Sequence, residues 1–195
     1  MAEHARAGRP RDPHLDEALL SAAREVFLAK GYQRSSLSEI AREAGVGTPA
    51  IYRRWRTKAD MAIDVVEQHL RPNPVPDTGA IRPDLVQFVR QRIKQWSSPL
   101  FHQLLLPLVL EAFLDSSIAE RIGRRFLEYR QPRIVARIAK AVAAGQLRHD
   151  TDPGMLADLL NGPIMMPLLY SQPLPELAAA ETIVDHVLQG FAVRD

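Results

Sequence analysis

The sequence contains no cysteine, which excludes a disulfide framework and a thiolate metal site and fits a reducing compartment such as the cytoplasm. Its start, MAEHARAGRPRDP, lacks the apolar core of a signal peptide. No later apolar run approaches the roughly 20 residues that a membrane-spanning helix needs. Neither sign of charge dominates: 25 Lys+Arg stand against 23 Asp+Glu, so the whole-chain charge points to no particular partner. An enzyme should show a nucleophile with its base, or a metal cluster. The histidines, His4, His14, His69, His102, His149 and His186, nowhere fall at H-x-x-x-H or H-E-x-x-H spacing, and neither a glycine-rich phosphate loop nor G-x-S-x-G occurs. No enzymatic activity, metal or cofactor is therefore expected.

What is present is a folded helical protein with polarised charge. The chain has 195 residues, 46% of them hydrophobic and 25% charged, enough for a buried core. Residues 1–60 carry 11 Lys+Arg against 8 Asp+Glu, whereas residues 151–195 carry 1 against 6. The basic end suits a polyanion, and the acidic, apolar end is suited to meeting protein.

Ser35 to Lys58, SSLSEIAREAGVGTPAIYRRWRTK, organises the rest. Leu37, Ile40, Ala41 and Ala44 recur at i, i+3, i+4 and i+7, the spacing of one apolar helix face. Ser36 and Glu39 form S-x-x-E, in which the hydroxyl caps the backbone at N3 and the carboxylate returns to the cap's own N–H. Gly45 ends the helix, Val46 plugs the turn, and Thr48-Pro49 restarts the chain as N-cap and N1. The second helix, Pro49 to Trp55, leaves through the tight turn of a helix-turn-helix. Ile51 and Trp55 share its inner face. Thr48, Pro49, Tyr52 and Arg53 point outward, equipped to meet base edges in a major groove, with Ser36 and Lys58 placed at helix N-termini to clamp phosphates. A basic helix that is merely solvated, on a helical protein-interaction module, is the alternative.

The pattern Gly31-Tyr32, Ser36, Leu37, Ile40-Ala41, Ala44-Gly45-Val46, Ile51-Tyr52, Trp55, Lys58 resembles the N-terminal DNA-binding domain of TetR-type bacterial transcriptional regulators. The likeness covers about the first 65 residues; beyond it only the helical layout agrees. The resemblance implies an all-α fold of about nine helices: a three-helix DNA-binding domain, a fourth linking helix and a larger helical domain for effector binding and dimerisation. It further implies a homodimer joined by the last two helices as a four-helix bundle, which suits paired half-sites on a double-stranded DNA operator. A repressor released by a small molecule is the implied function, activation being the minority outcome in the family. A helix-turn-helix protein with no effector is a second alternative.

Along the chain, residues 1–11 read as a flexible arm whose Arg6, Arg9 and Arg11 suit an AT-rich minor groove, or else form a solvated tail. Asp12-Pro13 starts a helix with Leu15, Leu19, Ala22, Val26 and Phe27 on one side, ending at Lys30-Gly31. Thr57, supported by Asp60, caps a fourth helix to about Leu70. The proline-rich 71–79 cannot be helix, so residues 12–70 are expected to form the DNA-binding domain with its linking helix, and 80–195 the effector and dimer domain. In the latter, helices are expected at Pro83–Trp96, from Ser98-Pro99, from a Ser117/Glu120 start to Gly145 with a break near Tyr129 caused by Pro132, at Met155–Tyr170 after an Asp152-Pro153 cap, and at Leu174–Val193. Gly162-Pro163 and Pro167 should bend or unwind the second-last. The arginines of 121–137 read as a solvated face.

Trp96, Phe101, Phe126, Tyr129, Met165 and Tyr170 offer apolar walls for a small, mostly apolar effector, with His102 and Asn161 as its polar contacts. Gln103, Met155 and Met166 lie in the same helices, and methionines make such walls adaptable.

Overall fold

Helical periodicity governs every element in the computed structural model, which describes residues 13–69, 74–124, 128–170 and 172–191. Among these residues there are ten α-helices and no strand, the all-α fold that the periodicity predicts. The arm with Arg9 and Arg11 lies outside the described residues, as do Phe126 and the side chain of Tyr129.

The first four helices are α1 (Pro13–Lys30), α2 (Leu37–Glu43), α3 (Thr48–Tyr52) and α4 (Lys58–His69). Leu19, Ala23 and Phe27 of α1 meet Ile40 and Ala41 of α2, Ile51 of α3, and Met61, Ala62 and Val65 of α4 in one dry cluster. α1 ends because Gly31 takes φ +77°, a left-handed conformation that an L side chain adopts at a cost. A Cβ there would also stand 2.9 Å from Gln103 Oε1. Gly31→Ala should therefore lower stability by about 1–2 kcal/mol; urea unfolding checks it, and an unchanged midpoint would refute it.

After the connection come α5 (Ile81–Trp96), a π-helical turn (Phe101–Leu105) that runs into α6 (Leu106–Ala112), α7 (Ser116–Ile122), α8 (Glu128–Ala143), α9 (Pro153–Leu169) and α10 (Ala179–Phe191). α5 packs on α9 and α10, and α8 on α9. Arg82 grips Asp185 of α10 through two hydrogen bonds of 2.7 and 2.8 Å.

The connection itself is fastened by buried charge. Asp84, fully buried, accepts from the Thr78 amide (3.1 Å) and hydroxyl (2.8 Å) and from Arg137 Nε of α8 (2.8 Å). Gln146 adds two bonds, accepting from the Ile81 amide at 2.8 Å and donating to the Gly79 carbonyl at 2.7 Å. Burial pushes the Asp84 pKa up, but the hydrogen bonds from Thr78 and Arg137 outweigh it and hold the group below the usual aspartate range.

Several expected boundaries move. α5 begins at Ile81, ahead of Pro83. α7 is capped by Asp115, whose carboxylate accepts from the Ser117 and Ile118 amides, so Ser117 and Glu120 are not its start; an ionised acceptor two residues earlier takes the amides first. The stretch expected to be one interrupted helix holds α7 and α8, and Pro132 lies inside α8. α9 stays helical through Gly162, Pro163 and Pro167, so the expected unwinding is absent. α10 starts at Ala179 because Pro173 and Pro175 keep 174–178 out of a helix. The π-helical turn was not foreshadowed by apolar spacing.

Candidate nucleic-acid interface and effector region

Ser36 caps α2 as the spacing requires, accepting from the Glu39 amide at 3.2 Å. The reciprocal half of the box is missing. The Glu39 carboxylate pairs with Lys30 of α1 and lies 3.7 Å from Arg42; the attraction of a full charge on α1 wins over a neutral amide. Gly45, at φ +68°, then turns the chain, and Val46 bonds back to the Ala41 carbonyl at 2.9 Å.

α3 is shorter than expected, Thr48–Tyr52, and its N-cap is Gly47 with no side-chain cap. Thr48 and Pro49 thus stand at N1 and N2, one position further inside than the sequence suggests. Ile51 is sealed in the core, and Trp55 is buried with its indole N–H donating to Asp64 at 2.7 Å. Arg54 is drawn back to Asp16 of α1 and to the Ala50 carbonyl (3.2 Å). These anchors turn the rest of the element outward. Thr48, Pro49 and Arg53 are exposed and Tyr52 is 48% exposed. At spacings of three and four residues they form one face, with hydroxyl, phenol and guanidinium groups that can bond to base edges and phosphates.

Lys58 turns inward from the start of α4. Its ammonium donates to the carbonyls of Tyr32 (2.7 Å) and Gln33 (3.3 Å) and sits 4.3 Å from the Tyr32 ring centroid. Burial lowers its pKa, with Glu111 opposing. Two carbonyls and a ring face hold the cation, so that it braces the turn before α2. The cap of α4 is Thr57 with Asp60, each bonding the other's backbone N–H at 3.1 and 3.0 Å.

In the effector region the structure brings some expected residues together and separates others. Trp96 and Phe101 are buried and stacked, centroids 5.5 Å apart. Asn161 and Met165, one turn apart on α9, are half-buried. Asn161 donates to the Ala157 carbonyl at 2.9 Å and leaves its own buried Oδ1 without a partner. His102 is instead exposed, its ring edge-on to Phe101, and Tyr170 is 68% exposed at the end of α9. Neither is buried with the aromatic stack, although His102 touches its edge. Arg92 was missed. Its guanidinium lies over Phe88 (5.0 Å) and Trp96 (5.7 Å), a placement that the i−4 and i+4 spacing of those aromatics on α5 could have signalled.

α9 also has an apolar stripe facing away from the core. Met155, Leu159, Met166 and Leu169 are all exposed, and with Gly162 they alternate steps of four and three residues, the seam spacing of paired helices. On α10, Ile183, Val187, Leu188 and Phe191 are only partly covered. No helix among the described residues is long and apolar enough to cross a membrane.

Comparison with known proteins gives these features a family. Residues 19–65 match the model for bacterial regulatory proteins of the tetR family, and residues 75–187 match the tetracyclin repressor-like C-terminal domain. The HTH-type transcriptional regulator YdeS of Bacillus subtilis is 31% identical over 165 residues, 84% of this chain and 83% of that protein. A DNA-binding transcriptional repressor, TetR, of Mycobacteroides abscessus is 27% identical over 88% of this chain and 90% of its own length. A TetR-family regulator from Mesorhizobium loti shares the fold, with a TM-score of 0.73 over 95% of this chain and 100% of that one at 18% identity. With both halves matched and α3 presenting a polar, basic face from a braced helix-turn-helix, the chain belongs to the TetR family of bacterial transcriptional regulators, DNA-binding proteins and not enzymes.

Proposed function

We propose that the protein is a homodimeric repressor that holds a palindromic operator in the cytoplasm and lets go of it when a small, mostly apolar effector binds. The observation that carries the reading is the exposed quartet Thr48, Pro49, Tyr52 and Arg53, pushed outward by the burial of Ile51 and Trp55 and the retention of Arg54. Residues 12–70 serve as the DNA-binding unit with α4 as its link, and 80–195 as the effector and dimer unit. The α9 stripe, with α10 beside it, is the surface that pairs two copies. That the M. abscessus relative is named a repressor supports the sign of regulation. Trp96, Phe101 and Met165 supply apolar contact for the effector, and the unpartnered Asn161 Oδ1 supplies a hydrogen-bond acceptor. Release is linkage: the effector prefers a dimer state in which the two α3 helices no longer fit successive major grooves, and that preference equals the affinity lost.

Tyr52→Ala tests the quartet. The variant should fold and dimerise as the wild type does while its operator affinity falls about ten-fold. Fluorescence anisotropy with an operator duplex, recovered by footprinting DNA beside the protein's own gene, measures it. Undiminished affinity would sink the assignment.

A further inference from the structure

A cleft of about 590 Å³ lies between the end of the helix-turn-helix and α7, within the range of small-molecule sites. Four arginines line it against two aspartates. Arg54 and Arg56 come from the segment after α3, Asp60 and Asp64 from α4, and Arg121 and Arg124 from α7 and the residues just past it. The Trp55 indole and Ile63 give it an apolar side.

These charges are not equally committed. Asp60 accepts from the Thr57 amide (3.0 Å) and hydroxyl (2.8 Å) and meets Arg121 at 3.2 Å, while Asp64 accepts from the Trp55 indole N–H at 2.7 Å. Arg54 is drawn away to Asp16. The other three guanidiniums keep donors to spare. Arg56 is exposed and makes no hydrogen bond or ion pair among the described residues. Arg124 pairs with Glu120 at 3.3 Å, but both side chains are more than half exposed, and such a pair is weak. Arg121 has a buried Nε with no acceptor. A donor orphaned in this way is costly, and it points to a water or an ion that belongs beside it.

We infer that this cleft binds a small, doubly charged oxyanion that bridges Arg56 of the helix-turn-helix to Arg121 and Arg124 on the other wall. The donors dictate the chemistry. A guanidinium offers parallel N–H groups that match two oxygens of one phosphate or carboxylate. Several of them around one opening favour two negative charges over one. The volume and the indole leave room for an organic body behind the charged end. The cleft shares no lining residue with the Trp96–Phe101 stack, so it is a second site.

Isothermal titration calorimetry of the full chain tests the inference with three probes: inorganic phosphate, phenyl phosphate and phthalate. Ionic strength is held constant, at about pH 8, where the phosphates are dianions. The wild type should bind at least one probe saturably, with Kd of about 1 mM or tighter. The tightest of the three identifies the source of the charge as free phosphate, phosphate ester or dicarboxylate. Arg56→Gln and Arg124→Gln, one on each wall, should each weaken binding about ten-fold. Both side chains are exposed, so both variants should melt as the wild type does without the anion. With it, the melting temperature of the wild type should rise more than that of either variant. No saturable binding of any probe overturns the inference, as does an affinity that survives either substitution. Binding lost in Arg53→Ala but kept in those two variants would put the anion on the outward face of α3 and overturn it too.

Discussion

Leu159→Glu turns the protein into a monomer and lowers its operator affinity by about a hundred-fold or more. Leu159 stands near the middle of the exposed α9 stripe, between Met155 and Met166. At a two-fold interface each substitution occurs twice, and a carboxylate buried against apolar side chains without a partner is expensive. Residues 151–195 already carry 6 acidic residues against a single basic one, so the new charge has little nearby to pair with. A monomer offers one recognition helix to one half-site and forfeits the effective concentration that the second half-site provides. Sedimentation velocity at micromolar concentration reads the first half of the prediction and anisotropy on the operator duplex the second. A variant that still sediments as a dimer and binds normally would show that the stripe is not the pairing surface.

Asp84→Asn costs about 3 kcal/mol or more of folding stability. The loss follows from what it leaves behind: Arg137, itself buried, faces an amide in place of a carboxylate, with Asp77 at 3.3 Å as its remaining ionic partner. The same pair gives the wild type an acid dependence with a definite sign. Because folding holds Asp84 below its unfolded pKa, the native state binds fewer protons in the interval between the two values. Its contribution is therefore complete above the ordinary aspartate range and disappears as pH falls through the lower, folded pKa. Asp115, Asp150 and Asp185 are shifted in the same direction by their own partners, so the informative quantity is the difference between wild type and variant. Urea midpoints measured from neutral pH down to strong acid should converge at the acid end. Parallel curves would mean that the buried pair has no such role.

The helix-turn-helix was legible because its determinants are local. Ser36, Gly45, Ile51 and Trp55 act within a few residues of where they stand, and each does what its spacing suggests. What the sequence hid depends on distant partners. Lys58 reads as a free cation at a helix start until the Tyr32 and Gln33 carbonyls arrive from a turn 26 and 25 residues earlier. Glu39 completes a capping box on paper but finds Lys30 across the helix pair. The burial of Asp84 needs Arg137, 53 residues on. In the effector region His102 reads as a polar contact because it interrupts an apolar stretch, but its neighbour Phe101 takes the buried place against Trp96 and leaves the imidazole exposed and edge-on.

The central claim is that two copies present the Thr48, Pro49, Tyr52 and Arg53 face to successive major grooves. Selection of binding sites from a random-sequence duplex pool by the full chain, at physiological salt, tests it most directly. The account predicts enrichment of an inverted repeat whose half-sites are centred about one helical turn apart, with Arg53→Ala reducing both affinity and its dependence on salt. No enrichment, or a lone half-site bound as tightly as any pair, would contradict it.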